Sequence, residues 1–232
     1  MPATCWQSVR GRVMRVTKLD ECGNPVEGPC STVVSKGFVS IAYAAEISEG
    51  DEVEIKNANG ELCISDKACD ELKWVNLTLT FCGVDPDLMA LMTGYQTVLD
   101  YAGNAVGNRV GQKILCDGGF ALEVWSDIPG QNCALTGNRL YGYFLAPWVK
   151  SAILNSFTIE NDGATFEVTA RTEKGGNWGT GPYNVDPTDA ATPPTAGPLL
   201  TPIGPEDHLD IHATSIAPPE PECGCQPLPA TP

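Results

Sequence analysis

The segment "EDHLDIHAT" carries both histidines of the chain, His208 and His212, with Asp210 midway between them. On an extended strand, residues two apart point the same way, so all three side chains share one face and Leu209 and Ile211 take the other. Imidazole and carboxylate are sound ligands for a divalent ion, which makes His208, Asp210 and His212 the metal candidate. The competing reading is an amphipathic strand with a wet polar face, since a lone strand face brings no supporting shell.

Thiolate chemistry has less behind it. The chain has ten cysteines, which in a small secreted domain would mean disulfides. At 232 residues, with no export signal in "MPATCWQSVRGRVMRVTKLD", reduced thiols are the expectation instead. Cys223 and Cys225 in "PECGCQP" lack the second knuckle of a zinc site, and Cys63 and Cys69 are wrongly spaced for one. Free thiols in a flexible arm are therefore expected there. Cys82 falls inside a strand pattern and reads as a small core residue.

Other chemistry is hard to find. The sequence has no phosphate loop, no nucleotide fingerprint and no Gly-x-Ser-x-Gly elbow, and nothing singles out two carboxylates as an acid pair. Trp6, Trp74, Trp125, Trp148 and Trp178 form either a ligand-stacking set or ordinary packing. No enzyme and no cofactor are expected. The balance of 14 Lys and Arg against 29 Asp and Glu gives a net charge of −15, which repels phosphate and disfavours nucleic-acid binding. It does not exclude a protein that lets DNA slide past without sticking. No run is long and apolar enough for a bilayer span, so no membrane anchor is expected.

The elements that must position these residues are mostly strands. With 24 Gly, 19 Pro and few periodic helical segments, the composition favours a mainly β fold. "RGRVMRVTKL" puts Val13 and Arg15 on one face and Met14 and Val16 on the other, leaving its burial open. "DEVEIKNANGELCIS" alternates Val53 and Ile55 with Glu52, Glu54 and Lys56, then turns at Asn59-Gly60, a strong hairpin signal. Its charge predicts exposure on at least one side.

In "ELKWVNLTLTFCGVDPDLMALMTGY", Leu77, Leu79 and Phe81 alternate with Asn76, Thr78 and Thr80, a half-buried strand with a neutral polar face. Asp85 then fits a helix N-cap, Pro86 the first helical position, and Gly94 the stop of a helix at about 85–93. "GFALEVWSDI" sets Phe120, Leu122 and Val124 against Ala121, Glu123 and Trp125. "YAGNAVGNRVGQ" reads as a loop, "NRLYGYFLAPW" as an apolar run ending at Pro147, and "SFTIENDGATFEVTART" as a hairpin turning at Asp162-Gly163. From about Asp186 the chain is Pro-rich. This predicts a β-domain over residues 1–185 and an extended arm over 186–232, with one short strand possible at 208–216.

Taken in order, "VTKLDECGNPVEG", "LTLTFCGVDPDLMALMTGY", "GFALEVWSDIPGQNC", "YGYFLAPWV", "FTIENDGATFEVTART", "WGTGPYNV" and the Pro-rich end with "CGCQPL" resemble the major tail (tail tube) proteins of long-tailed bacteriophages, especially those infecting actinobacteria. The resemblance implies a tail-tube-type β-sandwich or barrel subunit with a short flanking helix. Six copies would form a ring, and stacked rings a tube that encloses a tape measure protein, meets tail-end proteins and conducts DNA without binding it. Location in the virion tail, after assembly in the host cytoplasm, follows. The family has no catalytic residues to carry over.

On this reading Asn76, Thr78 and Thr80 face the lumen or a neighbour, and carboxylates on the lumen wall keep DNA from sticking. The hairpin residues Glu54, Lys56, Asn59, Gly60 and Glu61 are the candidate inter-ring contact, as loops in that region serve this role in similar proteins. Competing readings are another virion component, such as a head decoration protein, or a carbohydrate-binding β-sandwich.

Overall fold

The computed structural model describes residues 6–8, 10–83, 85–112, 115, 117–129, 139–161 and 163–228. It is mainly β. The strands are β1 (Arg10–Leu19), β2 (Thr32–Ser35), β3 (Phe38–Ser48), β4 (Glu52–Lys56), β5 (Leu62–Lys67) and β6 (Glu71–Phe81), then helix α1 (Pro86–Thr93). After it come β7 (Gln96–Leu99), β8 (Ala105–Arg109), β9 (Gly119–Asp127), β10 (Tyr141–Glu160) and β11 (Gly163–Thr172). The C-terminal part adds β12 (Asp186–Pro187), β13 (Ala196–Gly197) and β14 (Asp210–Thr214).

One antiparallel sheet runs β2-β1-β9-β10-β11-β6-β3, with β14 also pairing β10. It rolls into two layers because β10 serves both. Residues Tyr141 to Val149 pair β9, while Val149 to Glu160 pair β11. Register shifts fall between Ala146 and Val149 and between Lys150 and Ile153, and Ser151 sits at φ 57. Bulges bend a strand and free it from strict pairing. Pro147 therefore does not end the apolar run as expected. It lies inside the first irregularity, where a missing N–H breaks no ladder bond.

The layers close on each other until Phe38 of β3 packs where a Cβ on Gly11 of β1 would have to stand. Between them lies the main core of Met14, Val16, Leu77, Leu79, Phe81, Phe120, Leu122, Val149 and Val168. Helix α1 supplies Leu88, Met89, Leu91 and Met92 to this core and packs on β1, β9 and β10. It is short and is held by its ends as well as by its face. Asp85 accepts the N–H of Asp87 and Leu88, Pro86 starts the helix, and Gly94 at φ 71 returns its N–H to Ala90.

A second core lies on the outer face of the β1–β9–β10 layer. Leu19, Trp125, Tyr143, Leu145 and Trp148 are covered there by Trp178, Tyr183, Val185 and Leu199. The stretch from Trp178 to Leu199, which leads into the Pro-rich segment, is thus laid over the sheet, and with β14 paired to β10 the segment does not hang free as an extended arm. The expected boundary at residue 186 falls inside this cover, where Val185 and Asp186 are both buried. Prolines suit the role: the cover needs apolar contact but only scattered backbone bonds, such as Ile203 N–H to the Gly179 carbonyl.

Two further expectations change. The Gly- and Asn-rich stretch read as a loop contains β8, paired with β7. The turn between them is tied by Asp100, which accepts N–H groups of Ala102 and Asn104, with Gly103 at φ 86. "DECGN" at 20–24 repeats that turn with Asp20, Asn24 and Gly23 at φ 77. Hydrogen bonds from the following Asn hold both Asp carboxyls below their ordinary range. Cys82 is exposed just past the end of β6. Asp162, expected in the turn from β10 to β11, lies outside the described residues.

Under the Pro-rich cover the second core holds a buried ion pair. Arg15 Nε and Nη2 donate to Glu123 at 2.5 and 2.6 Å, and Tyr143 Oη donates to the same carboxylate at 2.6 Å. The guanidinium stacks on Tyr183 at 3.3 Å from its ring centre. Burial opposes the Arg15 charge, but Glu123 outweighs it, so the side chain stays protonated. Glu123→Leu leaves that cation unpaired and is expected to cost about 3–5 kcal/mol in urea unfolding. Arg15→Leu combined with Glu123→Leu should recover most of the loss.

Candidate assembly surface

Most of the exposed large apolar residues lie on edges and hairpins. Strand β3 pairs β6 along its length, and among the described residues its outer edge has no partner strand. An open edge of 11 residues presents a row of unpaired N–H and C=O groups, which natural monomers usually keep short or covered. Val39 and Ile47 lie exposed along it. The far halves of β3 and β6 run beyond the core as a two-stranded ribbon, and the β4–β5 hairpin follows from its end.

That hairpin pairs Val53 with Asp66, Glu54 with Ser65 and Ile55 with Ile64. Its turn is organised by Asn57, whose side-chain oxygen accepts the N–H of Asn59 and Glu61, with Gly60 at φ 82. Every residue of both strands is exposed, so exposure is not limited to the charged side. Val53, Ile55 and Ile64 share one face with Asp66, and among the described residues nothing covers it. The expected contact residues Glu54, Lys56, Asn59, Gly60 and Glu61 occupy the opposite face and the tip.

Charge concentrates in the same place. Residues 46–71 hold nine of the 29 carboxylates and only two of the 14 basic residues. The projecting ribbon is therefore strongly acidic, and any surface brought against it would have to be basic or screened by salt. The tip of β10–β11 exposes Phe157 and Ile159, and the β7–β8 hairpin exposes Leu99 and Val106. Exposed apolar patches of this kind mark contact surfaces in soluble proteins.

The face of Asn76, Thr78 and Thr80 lies on the outside of the β3–β6–β11 layer. Cross-strand partners share a face, so the register defines its surface. Asn76 is flanked by Ala44 and Arg171, Thr78 by Ala42 and Thr169, and Thr80 by Ser40 and Glu167. The result is a wall of mostly small neutral side chains with sparse charges. Trp74 lies at one end of it, with the Lys73 ammonium and the Arg171 guanidinium over its ring. Trp125, Trp148 and Trp178 are buried in the second core, so the tryptophans do not form a shared stacking platform.

The metal candidate is divided by the fold. His208 precedes β14 and is buried, with Nδ1 at 2.8 Å from the Thr172 hydroxyl. His212 points elsewhere, with Nδ1 at 2.9 Å from Asp210 and Nε2 at 3.0 Å from Asp186. Both nitrogens of His212 face carboxylates, an arrangement that suits the doubly protonated ring, which has no lone pair for a metal. Its ring also lies against Tyr143. The sequence could not disclose Asp186 as its partner, because a residue 26 positions away is brought there only by the folded cover.

Burial opposes the charge on His212, but the two carboxylates outweigh it and raise its pKa to about 9. Burial likewise opposes the Asp186 charge, but its bond from His212 holds that carboxyl below its ordinary range. The raised folded value fixes the sign. The stabilisation is complete below the unfolded pKa of about 6.5, declines as pH rises, and is gone above about 9. Relative to His212→Gln, the wild type should be more stable by about 1–3 kcal/mol at pH 6, and the gap should close by pH 10 in urea titrations.

Among the described residues, the group of His, Cys, Asp and Glu whose ligand atoms lie within 4.8 Å of one another is Cys30, Asp87 and Cys225. Cys30 and Cys225 are joined in a disulfide, which corrects the expectation of free thiols in a flexible arm. Cys22, Cys63, Cys69, Cys82 and Cys223 are free and exposed.

Comparison with protein-family models gives no match, and no curated protein matches the chain. A solved structure that aligns with it is a chain of an extracellular contractile injection system, the PVC sheath–tube complex in its extended state. The alignment covers 70% of this chain and 85% of that chain at 18% identity, with a TM-score of 0.25. A likeness of that size bears on neither the fold nor the function of this protein.

Proposed function

We propose that the chain is a self-assembling structural subunit of a tail-type tube and carries no catalytic activity. The observation that supports this most is the 11-residue unpaired edge of β3, which runs on into a ribbon and hairpin with uncovered apolar residues on an acidic frame. In a monomer such an edge is an aggregation hazard; in a ring it is the joint, because closure removes every edge.

Copies meet edge to edge in a six-membered ring. The wall built around Asn76, Thr78 and Thr80 lines the channel, where mostly small neutral side chains, rather than the carboxylates expected on that wall, give DNA and the tape measure protein little to hold. The β4–β5 hairpin reaches the adjoining ring, with Val53, Ile55 and Ile64 as the buried part of that contact. The subunit belongs to the virion tail, is assembled in the host cytoplasm and joins tail-end proteins at its terminus. The ordered segment resemblance to phage tail tube proteins supports the same reading.

Negative-stain electron microscopy of purified protein, concentrated at moderate salt, is expected to show six-fold rings or hollow tubes. Salt favours them because subunits at −15 repel one another until screened. The double variant Val39→Lys, Ile47→Lys should stay monomeric with a stability within about 0.5 kcal/mol of wild type, since both positions are exposed. Wild-type protein that remains monomeric under all these conditions, indistinguishable from the variant, sinks the edge-to-edge reading.

A further inference from the structure

The Cys30–Cys225 disulfide joins residues 195 positions apart, and a free, exposed thiol sits two residues from one end of it, at Cys223. We propose that Cys223-Gly224-Cys225 is an intramolecular thiol–disulfide exchange site that can transfer the linkage from Cys30 to Cys223.

Gly224 sits at φ 85, a left-handed conformation that glycine adopts without strain, and the chain bends at Cys223 and Gly224. The turn is pinned to the start of α1. Gly224 N–H donates to Asp85 Oδ2 at 3.3 Å and Cys225 N–H to Asp87 Oδ2 at 3.2 Å. Cys30 is itself exposed and borders a cavity of about 330 Å³ beside the helix, so solvent reaches the linkage.

The step is balanced without any outside reagent. The Cys223 thiol gives its proton to water, and the thiolate attacks Sγ of Cys225. The Cys223–Cys225 bond forms as the Cys30–Cys225 bond breaks, and the electron pair leaves on Cys30 Sγ, which takes a proton from water. One thiol and one disulfide exist before and after. The Asp87 carboxylate lies within 4.8 Å of both Cys30 and Cys225 sulfurs, so its charge opposes the negative charge that builds on the departing sulfur as the bond breaks. The long-range linkage is the arrangement the structure holds.

What the linkage holds gives the exchange a consequence. Gln226, next to Cys225, forms an antiparallel bridge with Thr32 at the start of β2. Its N–H donates to the Thr32 carbonyl at 2.7 Å, and its carbonyl accepts from Ser31 and Thr32 at 2.9 and 3.0 Å. The C-terminal segment thus covers the start of β2, the edge strand opposite β3. After exchange the segment is retained by these hydrogen bonds and those to Asp85 and Asp87 without a covalent link, and the edge opens more readily.

The test uses full-length protein isolated without reductant at pH 5, moved to about pH 8.5, where a sizeable thiolate fraction forms. Samples are quenched with acid, alkylated and mapped by peptide mass. Cys30 is expected to become alkylated as a Cys223–Cys225 link appears, with total free thiol unchanged and a first-order rate independent of protein concentration. Amide exchange at Thr32 should quicken in step. In Cys223→Ser, a surface change that leaves the fold intact by circular dichroism, Cys30 should stay blocked. Any of four results overturns the proposal: no Cys30–Cys225 link at the outset, Cys30 still blocked in wild type, release at the same rate in Cys223→Ser, or a rate proportional to protein concentration.

Discussion

The fold depends on a single strand changing allegiance. β10 is 20 residues long, pairs β9 with its first half and β11 with its second, and turns between them at Pro147 and Ser151. A strand held in perfect register through that point would keep the sheet open, and the core would have no second wall. The irregularity costs ladder bonds locally, and two packed layers offset that cost many times over through burial. The hydroxyl of Tyr95, just past α1, meets Leu154 N–H beyond the bend, so the helix braces the strand where its pairing changes.

The layer holding β1 and β9 is covered twice, by the opposing layer and by the Pro-rich segment, and β9 is buried on nearly all its length. This explains how a charge pair came to lie inside. Arg15 and Glu123 sit opposite each other in register, each flanked by apolar neighbours, and need Tyr143 and Tyr183 to complete their contacts. A buried ion pair adds little net stability, but it tolerates only one arrangement of its partners. It thereby fixes how the cover seats on the sheet.

Much of the local structure was legible. The alternation of Leu77, Leu79 and Phe81 with Asn76, Thr78 and Thr80, the Asp85–Pro86 start and Gly94 stop of the helix, and the Asn59-Gly60 hairpin are short-range patterns, and short-range patterns are what sequence spells out. The missed features are long-range. Nothing near Cys225 names Cys30 as its partner, nothing near His212 names Asp186, and Arg15 read as ambiguous because its burial depends on a segment more than 150 residues later. The β7–β8 hairpin was hidden by composition: Gly and Asn suggested a loop, although Asp100 and Asn104 build a turn that the similar "DECGN" motif also uses. The hairpin at 52–67 was visible as a hairpin, but periodicity is silent on what lies over its apolar face.

The projecting ribbon has a mechanical side. Two strands without a second layer resist shear in their own plane through their ladder of hydrogen bonds, yet yield easily to bending across it, much as a thin leaf spring does. The compact body, with two cores and a disulfide, is stiff by comparison. A chain built this way combines a rigid block with a compliant tab, so any assembly that joins blocks through such tabs can flex along its length while each block keeps its shape.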